Sequence, residues 1–280
     1  MNRMMKSSMI LLLLLLSMVW IVGCTEKQTP TANDNTQSQV SQDSSNKLEK
    51  VELTISAAAS LTDALTEIQK SYEAAHPNIK LNFNFGASGA LQQQIEQGAP
   101  ADLFLSAAPK NMKALVDKAL IDTNQQRTLL SNELVVIVPK EANTTLESLE
   151  DFKKEDVKKL AIGIPESVPA GNYAKEALTY AQLWEPLQAK TVQAKDVRQV
   201  LQYVETENVD AGFVYKTDAL TSSKVKIAFP VDPNSYSPVQ YPVGIVKSTK
   251  HSKETEAFYT YLQSKEALDV FVKYGFSIPK

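Results

Sequence analysis

The chain has 280 residues, of which 43% are hydrophobic and 22% are charged, and its formal net charge is −3. The apolar share is sufficient for a packed core, which excludes a wholly disordered chain, and the length suggests one large or two ordinary domains. The lack of a basic excess argues against nucleic acid as a partner. A single Cys excludes an internal disulfide framework or a zinc site built from cysteines.

Residues 1–24 have the composition of a secretion signal. Two basic residues precede an apolar run, residues 9–22, which is interrupted by one serine and is shorter than the about 20 residues of a membrane span. The run ends just before Cys24, as in the lipobox of bacterial lipoproteins. We therefore predict that a lipid on Cys24 anchors the mature protein to a membrane surface. A conventional signal peptide with an incidental cysteine is the alternative.

Residues 25–49 are predicted to form a flexible tether. Fifteen of these 25 residues are Ser, Thr, Asn or Gln, so the segment cannot bury enough apolar surface to offset the entropy of ordering it. As a random coil it would reach roughly 25–30 Å. The folded part is then expected to begin near Lys50.

From there on, strand-like and helix-like patterns alternate. Strands are predicted at residues 51–55, 79–85, 103–105, 134–138, 160–164, 211–215, 225–229 and 243–246. Helices are predicted around residues 61–72, 91–95, 112–120 and 197–204, after Pro169, and around residues 258–262 and 268–271. This order predicts an α/β fold of two units of about 100 residues, with parallel sheets and helices on both faces.

Neither of the two histidines is placed for hydrolytic chemistry. His76 precedes a proline at a predicted helix end, and His251 lies in a polar stretch. The sequence also has no G-x-S-x-G nucleophile elbow, no P-loop and no G-x-G-x-x-G motif. We therefore predict a binding protein, with a secreted α/β hydrolase as the alternative from a different functional class.

Four helices are predicted to begin with small or hydroxyl residues, or with an Asx cap, directly after a strand or turn. They are AAASLTD at residues 57–63, GASGA at 86–90, VPAGNY at 168–173 and DVR at 196–198. Free N–H groups and the helix dipole make such ends anion sites, and strand-to-helix turns gather at the carboxyl edges of parallel sheets. For any single helix, capping by Ser60, Thr62 or Asp196 is the simpler explanation.

These four stretches, together with GAPADLF at residues 98–104 and GFVYKTDA at 212–219, resemble the ModA family of molybdate-binding proteins of ABC transporters. The resemblance runs from about residue 51 to the end of the chain. It implies a type II periplasmic-binding-protein fold, with two α/β lobes joined by two crossing hinge segments and an oxyanion bound between them. Lobe I would comprise residues 50–131 and 241–280, and lobe II residues 132–240.

The resemblance also implies which residues bind the oxyanion. The family's two serine hydroxyls, two backbone N–H donors and one tyrosine hydroxyl are matched here by Ser60, Ser88, Ala170, Val197 and Tyr215. Gly89 occupies a position where a further serine is expected, and its backbone N–H is expected to remain usable. Capping alone is the alternative role for the two serines, and a core position is the alternative for the tyrosine.

A site built from neutral donors suits a fully deprotonated oxyanion, because a protonated anion would leave one donor unpaired. Arg198 and Lys175 are expected to be solvated helix residues. The prediction is an extracytoplasmic, monomeric protein that binds molybdate and tungstate and passes them to a membrane permease driven by an ATPase. It requires no cofactor and no direct ligand to the molybdenum atom. Sulfate or another tetrahedral oxyanion is the alternative cargo, and a ferric ion is disfavoured.

Overall fold

Ten strands form the framework of the part of the chain that the structure describes. The computed structural model describes residues 49–143 and 145–279, which belong to one compact unit. The strands are β1 (Val51–Ala58), β2 (Ile79–Gly86), β3 (Leu103–Leu105), β4 (Ile121–Ser131), β5 (Leu134–Pro139), β6 (Leu160–Gly163), β7 (Thr191–Ala194), β8 (Ala211–Tyr215), β9 (Val225–Pro230) and β10 (Gln240–Val246). They form two five-stranded sheets, in the orders β2-β1-β3-β10-β4 and β7-β6-β8-β5-β9.

Nine α-helices in the described part of the chain cover these sheets. They are α1 (Thr62–Ala75), α2 (Ser88–Glu96), α3 (Pro109–Asp117), α4 (Pro169–Tyr180), α5 (Trp184–Leu187), α6 (Val197–Glu205), α7 (Lys216–Leu220), α8 (Ser252–Tyr261) and α9 (Lys265–Lys273). Helices α1–α3 and α8 pack with the first sheet, and α9 packs on α1. Helices α4, α6 and α7 pack with the second sheet, and α5 packs on α4. We call these two assemblies the first lobe and the second lobe.

Helix positions follow from the apolar spacing that the sequence carries. In α6, Val200, Leu201 and Val204 recur at helical intervals and are buried against β8 and β6. Its N-terminus is fixed by Asp196, whose carboxylate accepts a hydrogen bond from the backbone N–H of Gln199 at 2.8 Å. The predicted cap is therefore confirmed.

Two of the four strands at the sheet edges were not predicted. β4 and β7 lie at the ends of the two strand orders. Eight of the eleven residues of β4, IDTNQQRTLLS, are polar, and its central residues are exposed or half-buried. An edge strand needs little apolar surface, because only one neighbouring strand and one partly covered face hold it. Alternation of apolar and polar residues was therefore too weak to reveal it.

The prediction of parallel sheets was wrong, because both sheets are mixed. In the first sheet β1, β2 and β3 run parallel, but β10 pairs antiparallel with β3 and β4. In the second sheet β6, β7 and β8 run parallel, but β5 pairs antiparallel with β8 and β9. β5 and β10 are the strands that follow a crossing between lobes, so no crossover helix had to set their direction.

The chain crosses between the lobes twice, at residues 132–133 and at residues 231–239. No helix within residues 49–143 and 145–279 is long and apolar enough to span a bilayer. The predicted signal segment, Cys24 and almost all of the predicted tether lie outside the described residues. The described fold is thus two α/β lobes with a cleft between them, as expected for the two-lobed binding-protein fold.

Candidate functional site

Five predicted ligand residues line a single pocket between the lobes. β1 and β2 deliver Ser60 and Ser88 just beyond their carboxyl ends, and the second lobe contributes Ala170, Val197 and Tyr215. The pocket is completed by small or apolar residues: Ala58, Ala59, Gly86, Ala87, Ala107, Val168 and Pro169. The convergence arises because parallel strands bring their strand-to-helix turns to one edge of each sheet.

The pocket is small and uncharged. The space open to the centre of a water-sized sphere is about 10 Å³, enough for roughly one such sphere. None of the described residues that line it carries a charged side chain. Any anion held here would therefore be bound by neutral hydrogen-bond donors.

Neither serine hydroxyl caps its helix, so capping alone does not account for them. Ser60 is 3% exposed and its Oγ lies 2.9 Å from the hydroxyl of Tyr241. Ser88 is 1% exposed and its Oγ accepts a hydrogen bond from the backbone N–H of Ala107 at 2.9 Å. In both cases a neighbouring group holds the hydroxyl oxygen at the wall of the pocket.

Backbone donors come from the first turns of α4 and α6. Ala170 is the second residue of α4 and Val197 the first residue of α6, so their N–H groups have no carbonyl acceptor within the helix. The start of α4 is pressed against the end of β6: a Cβ on Gly171 would lie 1.9 Å from the carbonyl oxygen of Gly163. Only glycine allows this approach, which carries the helix N-terminus into the pocket.

Tyr215 supplies a buried hydroxyl at the end of β8. Its side chain is 1% exposed, and its hydroxyl has no hydrogen-bond partner among residues 49–143 and 145–279. Burial raises the pKa of this hydroxyl well above its ordinary value, and nearby Tyr241 raises it further. The group therefore keeps its proton at neutral pH and can donate it to an acceptor in the pocket.

The expectation for Gly89 was wrong. Its backbone N–H donates to the carbonyl oxygen of Ser167 at 2.9 Å and is not available to a ligand. This bond joins α2 of the first lobe to the loop before α4 in the second lobe. A Cβ on Gly89 would lie 2.6 Å from the same oxygen, so the missing side chain is what lets the lobes approach.

Arg198 is not a solvated helix residue either. Its guanidinium lies 2.6 Å from the carboxylate of Asp63 and 2.6 Å from that of Asp218. Asp63 belongs to α1, so this ion pair also bridges the lobes. With two carboxylates beside it, the guanidinium charge is already compensated. Lys175 is half-buried, with its ammonium 5.1 Å from the ring centre of Trp184.

Burial raises the pKa of Asp218 to about 6, although the neighbouring Arg198 acts in the opposite direction. This carboxylate is fully buried beneath Tyr215, from whose backbone N–H it accepts a hydrogen bond at 3.3 Å. Placed behind the pocket, an uncompensated carboxylate would oppose anion binding. Its pairing with Arg198 removes most of that opposition.

Two residues near the site could not be found from the sequence. Ala107 lies after the short strand β3 and contacts Ser88, and Tyr241 comes from β10, 181 positions from Ser60. Neither lies in a motif at a helix start, so no local pattern marked them. Within the described ranges there is no group of three or more His, Cys, Asp or Glu that could hold a metal ion.

Comparison with known proteins assigns the chain to a family. The sequence profile of the bacterial extracellular solute-binding proteins matches residues 53–277. ModA molybdate-binding proteins of Haemophilus influenzae and Escherichia coli are each 41% identical to the chain, over 80% and 81% of it and 89% of their own length. The chain belongs to the ModA family of bacterial extracellular solute-binding proteins.

Another relative in this family covers nearly the whole sequence. The putative ABC transporter substrate-binding lipoprotein YvgL of Bacillus subtilis is 49% identical over 98% of this chain and 99% of its own length. Among solved structures, the substrate-binding domain of a putative molybdenum ABC transporter from Clostridium difficile is 42% identical. It covers 82% of this chain and 100% of its own, with a TM-score of 0.64. The fold and the family predicted from the sequence are thus confirmed.

Proposed function

We propose that this member of the ModA family captures molybdate, and also tungstate, outside the cytoplasm for an ABC importer. The observation that carries the proposal is the convergence of Ser60, Ser88, Ala170, Val197 and Tyr215 on one uncharged pocket between two lobes. Each can present an N–H or O–H proton, and a fully deprotonated tetrahedral oxyanion accepts hydrogen bonds only. The relatives named for molybdate support the choice of cargo.

In this proposal the lobes close over the anion, and the neutral donors replace its hydration shell. The two lobes act as the moving parts, and residues 132–133 and 231–239 act as the hinge between them. The protein acts as a monomer and needs no cofactor, since the oxyanion is cargo and its oxygens meet all the protein donors. Closure creates the surface that a membrane permease and its ATPase would recognise.

Titration calorimetry with molybdate, tungstate, sulfate and phosphate tests the cargo. We expect molybdate and tungstate to bind at least tenfold more tightly than sulfate, because the site must select by cavity size among anions of equal charge and geometry. Tightest binding of sulfate would overturn the choice of cargo, and binding of none of the four would overturn the function itself.

Substitution of the two serines tests the direct contacts. Ser60→Ala and Ser88→Ala should each weaken molybdate binding by about 1–3 kcal/mol, because each removes one hydrogen bond to a charged ligand. Ser252→Ala, at the exposed start of α8, is the matched control and should leave the affinity unchanged. Unchanged affinity in both pocket variants would reject the contacts.

We further propose that the mature protein is held at the membrane by a lipid on Cys24. The support is the apolar run that ends at this residue and the lipoprotein name of the relative from Bacillus subtilis. Fractionation of cells that express the full chain, followed by mass spectrometry of the N-terminal peptide, tests the anchor. Cys24→Ser should release the protein from the membrane fraction, and an unchanged distribution would contradict the anchor.

A further inference from the structure

A chain of hydrogen-bonded side chains leads from half-buried Asn132 in the hinge to Ser60. The hydroxyl of Tyr241 lies 2.9 Å from Ser60 Oγ, and Asn132 Nδ2 lies 3.3 Å from the same hydroxyl. Asn132 Nδ2 also donates to Thr217 Oγ1 at 2.9 Å. Tyr241 and Thr217 are 1% and 2% exposed, so these groups have little alternative contact with water.

The hydrogen-bond pattern fixes the orientation of the Asn132 amide. Asn132 Oδ1 accepts the backbone N–H of Glu133 at 2.9 Å, so the amide nitrogen, which only donates, faces Tyr241. The Tyr241 oxygen accepts that bond, which leaves its own proton available for Ser60, although either hydroxyl of this pair can be the donor. Burial raises the pKa of Tyr241 well above its ordinary value, so this proton stays in place at neutral pH.

This arrangement matters for Ser60. When Tyr241 donates, the Ser60 oxygen accepts, and the O–H of Ser60 points away from Tyr241. The pocket is the free direction, because Ser60 lines it and is otherwise buried. Donation by Tyr241 therefore favours a Ser60 hydroxyl that presents its proton to the pocket.

We propose that Asn132 and Tyr241 are positioning residues that hold Ser60 as a donor and so tune the site against protonated oxyanions. The proposal rests on the proposed function, because it concerns the discrimination between anions in that same pocket. Molybdate and sulfate offer only acceptor oxygens to Ser60. Phosphate near neutral pH carries at least one proton, which the fixed Ser60 donor cannot accept.

The test is Tyr241→Phe, assayed by calorimetry and by competition at pH 7 with molybdate, sulfate and phosphate as probes. Loss of the Tyr241 proton frees a lone pair on Ser60, so the serine can turn and accept a proton from the ligand. We expect molybdate and sulfate to bind about tenfold more weakly, while phosphate loses less or gains. The ratio of molybdate to phosphate affinity therefore falls.

A second variant should reverse the direction of the hydrogen bonds between residue 132, Tyr241 and Ser60. In Asn132→Asp the side chain accepts only, so Tyr241 donates to it and Ser60 donates to Tyr241. Its lone pair then faces the pocket, and molybdate should bind more weakly than in Tyr241→Phe. Either substitution made together with Ser60→Ala should add no further change in the molybdate-to-phosphate ratio, because both act through the serine hydroxyl.

Tyr72→Phe, a buried tyrosine on α1 that does not line the pocket, is the matched control and should leave the ratio unchanged. Equal weakening of all three anions in Tyr241→Phe and Asn132→Asp, or no change in either, would overturn the positioning role. Failure of the wild-type chain to bind any of the anions would instead overturn the proposed function.

Discussion

The hydroxyl of Tyr215 offers a test in which affinity and stability should move in opposite directions. It is 1% exposed, lines the pocket and has no hydrogen-bond partner within the described part of the chain. Tyr215→Phe removes this one oxygen and keeps the ring, including its edge-on contact with Tyr241 at 5.8 Å between ring centres. The change therefore separates the hydroxyl from the packing of the aromatic side chain.

This geometry predicts both a loss of affinity for molybdate and a gain in the stability of the ligand-free protein. A hydrogen bond to a charged ligand contributes about 1.5–3 kcal/mol, so the variant should bind molybdate about 10- to 140-fold more weakly. A buried hydroxyl without a partner costs about 1–3 kcal/mol in the arrangement described here. Its removal should raise the ligand-free unfolding temperature by about 2–4 °C for each kcal/mol recovered.

Calorimetry gives the affinity, and thermal unfolding without ligand gives the stability. Tyr72→Phe again serves as the control, since it removes a hydroxyl from a buried tyrosine outside the pocket. A Tyr215→Phe protein that unfolds at a lower temperature than the wild type would show that the hydroxyl serves the fold. An unchanged affinity for molybdate would refute its role as a donor to the anion.

Two further predictions concern lobe closure and pH. Gly89→Ser should weaken molybdate binding without unfolding either lobe, because its Cβ would lie 2.6 Å from the Ser167 carbonyl oxygen. Solution X-ray scattering with saturating molybdate should find the variant more open than the wild type. Equal scattering from the two proteins would contradict this prediction. Since burial raises the pKa of Asp218 to about 6, the folded state takes up a proton between about pH 4 and 6, and stability from this group falls as pH rises through that window. Asp218→Asn should flatten this part of the stability profile in urea unfolding, and an identical slope in both proteins would exclude the effect.

Local patterns in the sequence determined most of the elements that carry the site. β3 and β8 have the predicted bounds, and α4 and α6 begin at the predicted residues. Such elements depend on the spacing of nearby apolar residues and on a cap or a proline at the helix start, all of which lie within a few positions of one another. The candidate donors came from the resemblance to the ModA family, and the structure places each of them at a strand end or a helix start.

Only the tertiary structure determined which partner each of these polar groups contacts. Ser60 meets Tyr241 across 181 positions, Arg198 meets Asp63 across 135, and the Gly89 N–H is taken by Ser167 of the other lobe. Local patterns also could not predict that β5 and β10 run antiparallel to their neighbours, because their direction depends on where the chain crosses between lobes. Local composition sets which groups are available as donors, but long-range packing decides which of them keep a free proton for the ligand.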